Sequence, residues 1–195
     1  PFDVGPVNCY LIQGEGITII DPGPATSAAF DALIDGLQNN DCSIQDVDQV
    51  LITHPHIDHF GLASAVVDQS GATVLAHQHA ESILESPIEY FEQERAFFRP
   101  FLRSMGVPEN EVSKALSPPK SFMEHQAAID VDLPLSDGQL IQDPRLRVIH
   151  TPGHSRGTVC FTRVQDDIVF TGDHVIGHIS PNPLLTLDPC SANTR

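Results

Sequence analysis

The run His54-Pro55-His56-Ile57-Asp58-His59 constrains this chain more than any other stretch, and it directly follows the apolar segment Val50-Leu51-Ile52-Thr53. Imidazole and carboxylate are the side chains that bind a borderline divalent metal such as zinc. On extended backbone, residues two apart project to the same side, so His54 and His56 can reach one metal together. Asp58 and His59 come where the chain turns toward a helical-looking segment from Phe60 to Gln69, so they can point at a second position nearby. A solvated loop with scattered histidines is the bland alternative. A cluster this dense after a buried-type strand argues against it.

Three further segments have the same form. Ile17-Thr18-Ile19-Ile20 runs into Asp21-Pro22-Gly23, Val148-Ile149-His150 into Thr151-Pro152-Gly153-His154-Ser155, and Ile168-Val169-Phe170 into Thr171-Gly172-Asp173-His174. Each is a short apolar strand ending in a turn and a potential ligand. Strand ends that each present a His or Asp imply one site assembled at one edge of a sheet.

With these residues the chain resembles the metallo-β-lactamase superfamily of metal-dependent hydrolases, from about Val7 to about Pro183. Asp21, His54-x-His56-x-Asp58-His59, His154 and Asp173 are specific as a set, whereas GDH or TPGH alone would be weak. The resemblance implies an α/β fold, the αβ/βα sandwich with its metal site at one edge of the paired sheets. It implies that His54, His56 and His154 hold a first metal. Asp58 and His59 help hold a second, and Asp173 bridges the two. Two cations flanking one water would lower its pKa from about 15.7 toward neutrality, and the resulting hydroxide would attack a carbonyl. Asp58 could also orient that nucleophile. Asp21 belongs behind the ligands, fixing an imidazole by accepting its other N–H, or else it only forms the turn before Pro22-Gly23. His174 follows the bridging Asp and could face the pocket, and His178 lies in a loop resembling one from an uncharacterised bacterial branch. His77, His79, His125 and His150 read as surface or packing residues.

The implied activity is hydrolysis of a thioester, ester or lactone, as in the glyoxalase II branch, which TPGHS after a strand supports. Two other classes stand beside it. A persulfide-dioxygenase-like oxidoreductase would keep a similar motif around one iron, and a metal-binding domain without catalysis would lack a ligand. Zinc is the expected metal, with iron or manganese as alternatives. Members usually add one more His from a strand well after the bridging Asp. Here 22 residues follow Asp173, and Leu187–Arg195 reads as loop. The expectation is therefore a chain whose C-terminal part is missing, with one tight metal and a second that is weak or absent.

At 195 residues the chain suits a single domain. Apolar residues make up 41% and no run approaches 18 apolar residues, which argues against disorder and against a membrane span. Net charge is −16, with no Lys or Arg before Arg95, so a phosphate backbone would be repelled and nucleic acid is not expected as a partner. Cys9, Cys42, Cys160 and Cys190 form no CxxC pair. They suggest a reduced, cytosolic protein in which Cys9 and Cys160 pack as small apolar groups.

Strands are expected at about 7–13, 16–20, 49–53, 72–76, 146–150, 158–164 and 167–171. Phe30, Leu33, Ile34 and Leu37 mark an amphipathic helix that Thr26 or Ser27 can cap. The segment from about 81 to 130 breaks this rhythm and reads as a helical insertion. It holds Phe91, Phe97, Phe98, Phe101 and Phe122, half of the ten phenylalanines. A lid, or a surface through which two copies associate, would use them; so would a hairpin packed on its own domain. Arg95, Arg99 and Arg103 fall on one helical stripe. They could meet an anionic group on a small-molecule substrate, or pair with nearby glutamates.

Overall fold

Strands buried on both faces read as continuous apolar runs, and the runs ending at Ile20, Ile52 and Ala76 meet that condition. The structure is a computed structural model describing residues 5–117, 128–163, 165–177 and 179–181. One sheet comprises β1 (Tyr10–Gln13), β2 (Ile17–Ile20), β3 (Val47–Ile52), β4 (Thr73–His77) and β5 (Leu133–Leu135), in that spatial order. β1 and β2 are antiparallel, and every later pairing is parallel. The second sheet is antiparallel, in the order β6 (Leu140–Ile141), β7 (Leu146–His150), β8 (Val159–Arg163), β9 (Ile168–Phe170).

Adjacent strand residues face opposite sides, and this alternation divides the core in two. Ile19, Val50 and Val74 pack under helices α1 (Ser27–Gln38) and α3 (Ala63–Ser70) with Leu33, Leu37 and Val66. Ile20, Leu51 and Leu75 pack between the sheets with Leu146, Val148, Val159 and Phe161. Leu51 is fully buried there, so Leu51→Ala should cost about 2–5 kcal/mol. Thr26 caps α1, its Oγ1 accepting from the Ala29 N–H at 3.1 Å.

The expected helix after the histidine run arrives as two pieces, α2 (Ile57–Phe60) and then α3. The described part of the expected insertion is helical: α4 (Glu81–Glu85), α5 (Pro87–Ser104) and α6 (Glu109–Ala115). Pro100 lies within α5. Phe122 and residues 118–127 lie outside the described residues. Two strands, β5 and β6, were not legible because they span only three and two residues. Cys160 is buried, but Cys9 precedes β1 and is exposed, so it does not pack as expected. Among the described residues no helix is long and apolar enough to cross a membrane.

The parallel order β2-β3-β4 sends their C-terminal ends to one edge, which places Asp21, His54 and His77 at neighbouring exits. The second sheet meets that edge through the Val159 N–H, which donates to the Thr53 carbonyl at 2.9 Å.

Candidate metal centre

His56 follows Pro55 and is extended (φ −96°, ψ 139°) at the start of α2. Asp58 and His59 then lie within that short helix. His154 comes from the loop between β7 and β8. Asp173 comes from the 3-10 turn Gly172–His174 after β9. Gly172 lets this turn press on β3: its φ is +48°, and a Cβ there would lie 2.5 Å from Thr53 Oγ1.

Three ring nitrogens converge. His56 Nδ1 lies 3.1 Å from His54 Nε2 and 2.9 Å from His154 Nε2. Asp173 Oδ2 is 3.5 Å from His154 Nε2 and 4.0 Å from His54 Nε2. Its other oxygen, Oδ1, lies 3.3 Å from His59 Nε2. Asp58 Oδ2 is 3.9 Å from that same nitrogen. The two oxygens of Asp173 thus face two halves of one site. Six side chains expected from the sequence are brought together: His54, His56, Asp58, His59, His154 and Asp173.

A buried relay sets the orientation of two of the rings. Thr53 Oγ1 donates to Asp21 Oδ2 at 2.6 Å, and the Thr53 N–H donates to Asp21 Oδ1 at 2.8 Å. A hydroxyl has one proton, so Thr53 Oγ1 must accept from His54 Nδ1, 3.0 Å away. That leaves the lone pair of His54 Nε2 facing the cluster. On its other side Asp21 Oδ2 accepts from His59 Nδ1 at 2.8 Å. Asp21 is therefore more than a turn former, though its φ of +52° also makes the turn. Thr53 was not singled out in the sequence, since a strand-end threonine carries no signal of its own.

Charges differ across the site. Burial, then the surrounding imidazoles of His59, His56 and His154, hold His54 well below the ordinary histidine range. Burial, with His154 and His59 beside it, pushes His56 down to about 3. For His59 burial also acts downward, but Asp21, Asp173 and Asp58 outweigh it and raise it to about 10. The hydrogen bond from His59 holds Asp173 below the usual carboxylate range. Burial pushes Asp58 up, with His59 opposing.

The donor set suits a cation. Ring nitrogens 2.9 and 3.1 Å apart are close to the edge of a zinc tetrahedron, about 3.3 Å for Zn–N bonds near 2.05 Å. The ligand atoms of His54, His56 and His154 lie within 4.8 Å of one another, as do those of Asp21, His54 and His59. A cleft of about 370 Å³ opens on the Asp58–His59–Asp173 side, walled by Pro6, Val7, Tyr10, Val175 and Ile176.

Sequence comparison agrees with this geometry. The profile of the metallo-beta-lactamase superfamily matches residues 2–194. The chain belongs to that superfamily. It is 28% identical over 186 residues to the probable metallo-hydrolase YqjP of Bacillus subtilis, covering 95% of this chain and 57% of YqjP. A metallo-beta-lactamase family protein of Thermus thermophilus superimposes with a TM-score of 0.75 at 30% identity, covering 95% of this chain and 60% of that one. The chain thus spans less than two thirds of these relatives. A 47-residue stretch is 45% identical to an atrochrysone carboxyl ACP thioesterase of Aspergillus fumigatus, covering 23% of this chain and 11% of that protein. YqjP is named as a probable metallo-hydrolase, and the His/Asp groups here could hold a metal ion.

Other residues singled out in the sequence lie outside this cluster. His174 is exposed and lies outside the converging donor set, because the 3-10 turn carries Asp173 to the cluster and leaves its neighbour at the surface. Of the two readings of the arginine stripe, the structure shows the pairing with glutamates. Arg95 pairs with Glu92 at 2.8 Å, and Arg99 and Arg103 both pair with Glu109 at the start of α6. His125 and His178 lie outside the described residues.

Proposed function

We propose that this chain is a zinc-dependent hydrolase domain acting on a thioester, ester or lactone carbonyl, in the manner of the glyoxalase II branch. The observation that carries this reading is the convergence of His54 Nε2, His56 Nδ1 and His154 Nε2 beside Asp173 Oδ2. These four would hold the first zinc. Asp58, His59 and the other oxygen of Asp173 would hold a second, more weakly. Bound metal would supply Lewis acidity, lowering the pKa of a coordinated water toward about 7 and polarising the carbonyl.

The protein groups then have separate tasks. Thr53 and Asp21 keep the His54 and His59 rings in the orientation that metal binding needs. Asp58, only 14% exposed and at the mouth of the cleft, orients the attacking water and takes its proton. The apolar wall of Pro6, Val7, Val175 and Ile176 suits an uncharged acyl group better than a phosphate. The thioesterase named among the similar proteins supports the thioester class.

Metal analysis of the purified protein, followed by a panel of thioester, lactone, β-lactam and phosphodiester substrates, tests the proposal. Zinc with thioester or lactone turnover is expected. Iron accompanied by oxygen consumption would replace this reading with the dioxygenase. Metal-free protein of full activity would remove metal catalysis altogether.

A further inference from the structure

Three histidines outside the metal cluster meet where β4 and β7 end. The His77 and His150 rings stack at 4.0 Å between centroids and 15° between planes, with His79 5.1 Å from His77. His77 is almost wholly buried at 2% exposure. Its Nδ1 accepts from the His79 N–H at 3.3 Å. Burial, then His150 and His79 beside it, push His77 down to about 4, so it is uncharged near neutrality.

His150 opens the loop that carries His154. Its Nε2 lies 2.8 Å from the Arg156 carbonyl oxygen. A carbonyl only accepts, so Nε2 must carry the proton and donate. This bond spans the loop beneath its tip, with His154 between its two ends. The loop is closed at its neck by the Thr151 N–H on the Thr158 carbonyl at 2.9 Å, and inside by the Ser155 N–H on Thr158 Oγ1 at 3.0 Å. The Asp137 carboxylate accepts from the His150 N–H at 2.8 Å, fixing the backbone where the ring is attached. Gly157 lies directly on the chain after β4, where an added Cβ would come within 2.7 Å of Ala80 Cβ. The loop is therefore pinned to the end of β4 twice, by the Gly157–Ala80 contact and by the His150 ring on His77.

We propose that His150, held in plane by the stacked His77, is a positioning residue that fixes loop 151–158 and so seats the His154 imidazole for the metal. The inference rests on the proposed metal-centre reading for what His154 does, but the tether belongs to the metal-free chain. It assigns work to two histidines that read as packing residues in the sequence.

The test compares His150→Ala, His150→Phe and His150→Gln with wild type by two measurements. The first is amide hydrogen exchange of residues 153–157 in the metal-free protein. The second is zinc affinity by chelator competition, with the visible spectrum of the cobalt-substituted protein as a check on ligand geometry. Phe keeps a ring on His77 but has no N–H; Gln keeps an N–H donor. Exchange should rise about tenfold in the Ala and Phe variants, and zinc affinity should fall about tenfold, at the lower end of the range for outer-shell partners. The cobalt spectrum should change with them, and Gln should restore all three. Wild-type exchange in the Phe variant would overturn the proposal, because packing alone would then hold the loop. Should the Ala variant fail to fold, the Phe–Gln pair still decides. If wild type binds no metal, the functional reading falls while the exchange measurement still judges the tether.

Discussion

The two halves of the metal centre share Asp173 but are prepared for a cation in opposite ways. In the half made by His54, His56 and His154, burial and mutual proximity keep His54 and His56 uncharged, so their lone pairs are already available. In the half made by Asp58, His59 and Asp173, the carboxylates raise His59 to about 10, so a proton occupies the ring. The first half turns the ring nitrogens of three imidazoles toward one point. The second has already balanced its charge. A metal entering the first half displaces little, whereas one entering the second must expel a proton from His59. The lesson is that counting ligands is not enough to rank two sites; the charge each site carries before metal arrives also counts.

The largest expected effect breaks the first half. His56→Ala should lose the tight metal and reduce turnover by at least about 10³-fold, because the Lewis acid and the activated water go together. Elemental analysis and turnover measured on one preparation check this. If activity survives, the three-imidazole half is not the catalytic one.

Asp21→Asn strikes the relay that serves both halves. His59 would be left with an imidazolium buried against fewer charges, and breaking a buried pair costs on the order of 3 kcal/mol. Denaturant unfolding of the metal-free variant should show that loss, and affinity for metal should fall about 10–100-fold. A change confined to one half would mean that Thr53 does not couple them.

Metal titration sharpens the contrast directly. One tight equivalent should bind with little proton release near pH 7. The second should be weaker, release about one proton and tighten as pH rises toward about 10. Calorimetry in buffers of different ionisation enthalpy reads the proton count. Two equal equivalents with equal release would erase the distinction.

The same contrast predicts pH-dependent stability in the metal-free chain. His54, His56 and His77 are depressed relative to the unfolded value of about 6.5, so the unfolded chain takes up protons first. Stability should therefore fall as pH drops from about 6.5 toward about 4. His59 has the opposite sign: its contribution is present below about 6.5 and is lost as pH rises through about 10. Unfolding midpoints measured from pH 4 to 10 should outline a dome, and a monotonic profile would contradict the assignment.

The smallest effect lies far from both halves. Arg103 is exposed and paired with Glu109 on the surface, so Arg103→Gln should leave the denaturant midpoint nearly unchanged. KM for an anionic substrate should stay as it is, because the stripe is engaged by glutamates. A raised KM would return the stripe to the substrate.

Much of this was readable in the sequence. The strand ends at Ile20, Ile52, His150 and Phe170 follow from apolar runs stopped by Pro or Gly, and α1 follows from its period and the Thr26 cap. What failed did so for local reasons. β6 is two residues long, too short to show alternation. Cys9 sits in an apolar-looking run, but the strand begins only at Tyr10.

The sequence by itself determined the donor types, their spacing and their places at strand ends, because these depend on local periodicity and turn chemistry. Tertiary structure alone decided that Asp173 turns one oxygen to each half. It alone decided that Thr53 joins its neighbour His54 to Asp21, 32 residues before Thr53, that His59 carries a proton, and that His154 closes on His56 across 98 residues. It also put His150 on His77. A ring's tautomer and charge are set by what surrounds it, and here the neighbours come from different strands of two sheets. No window along the chain contains them together.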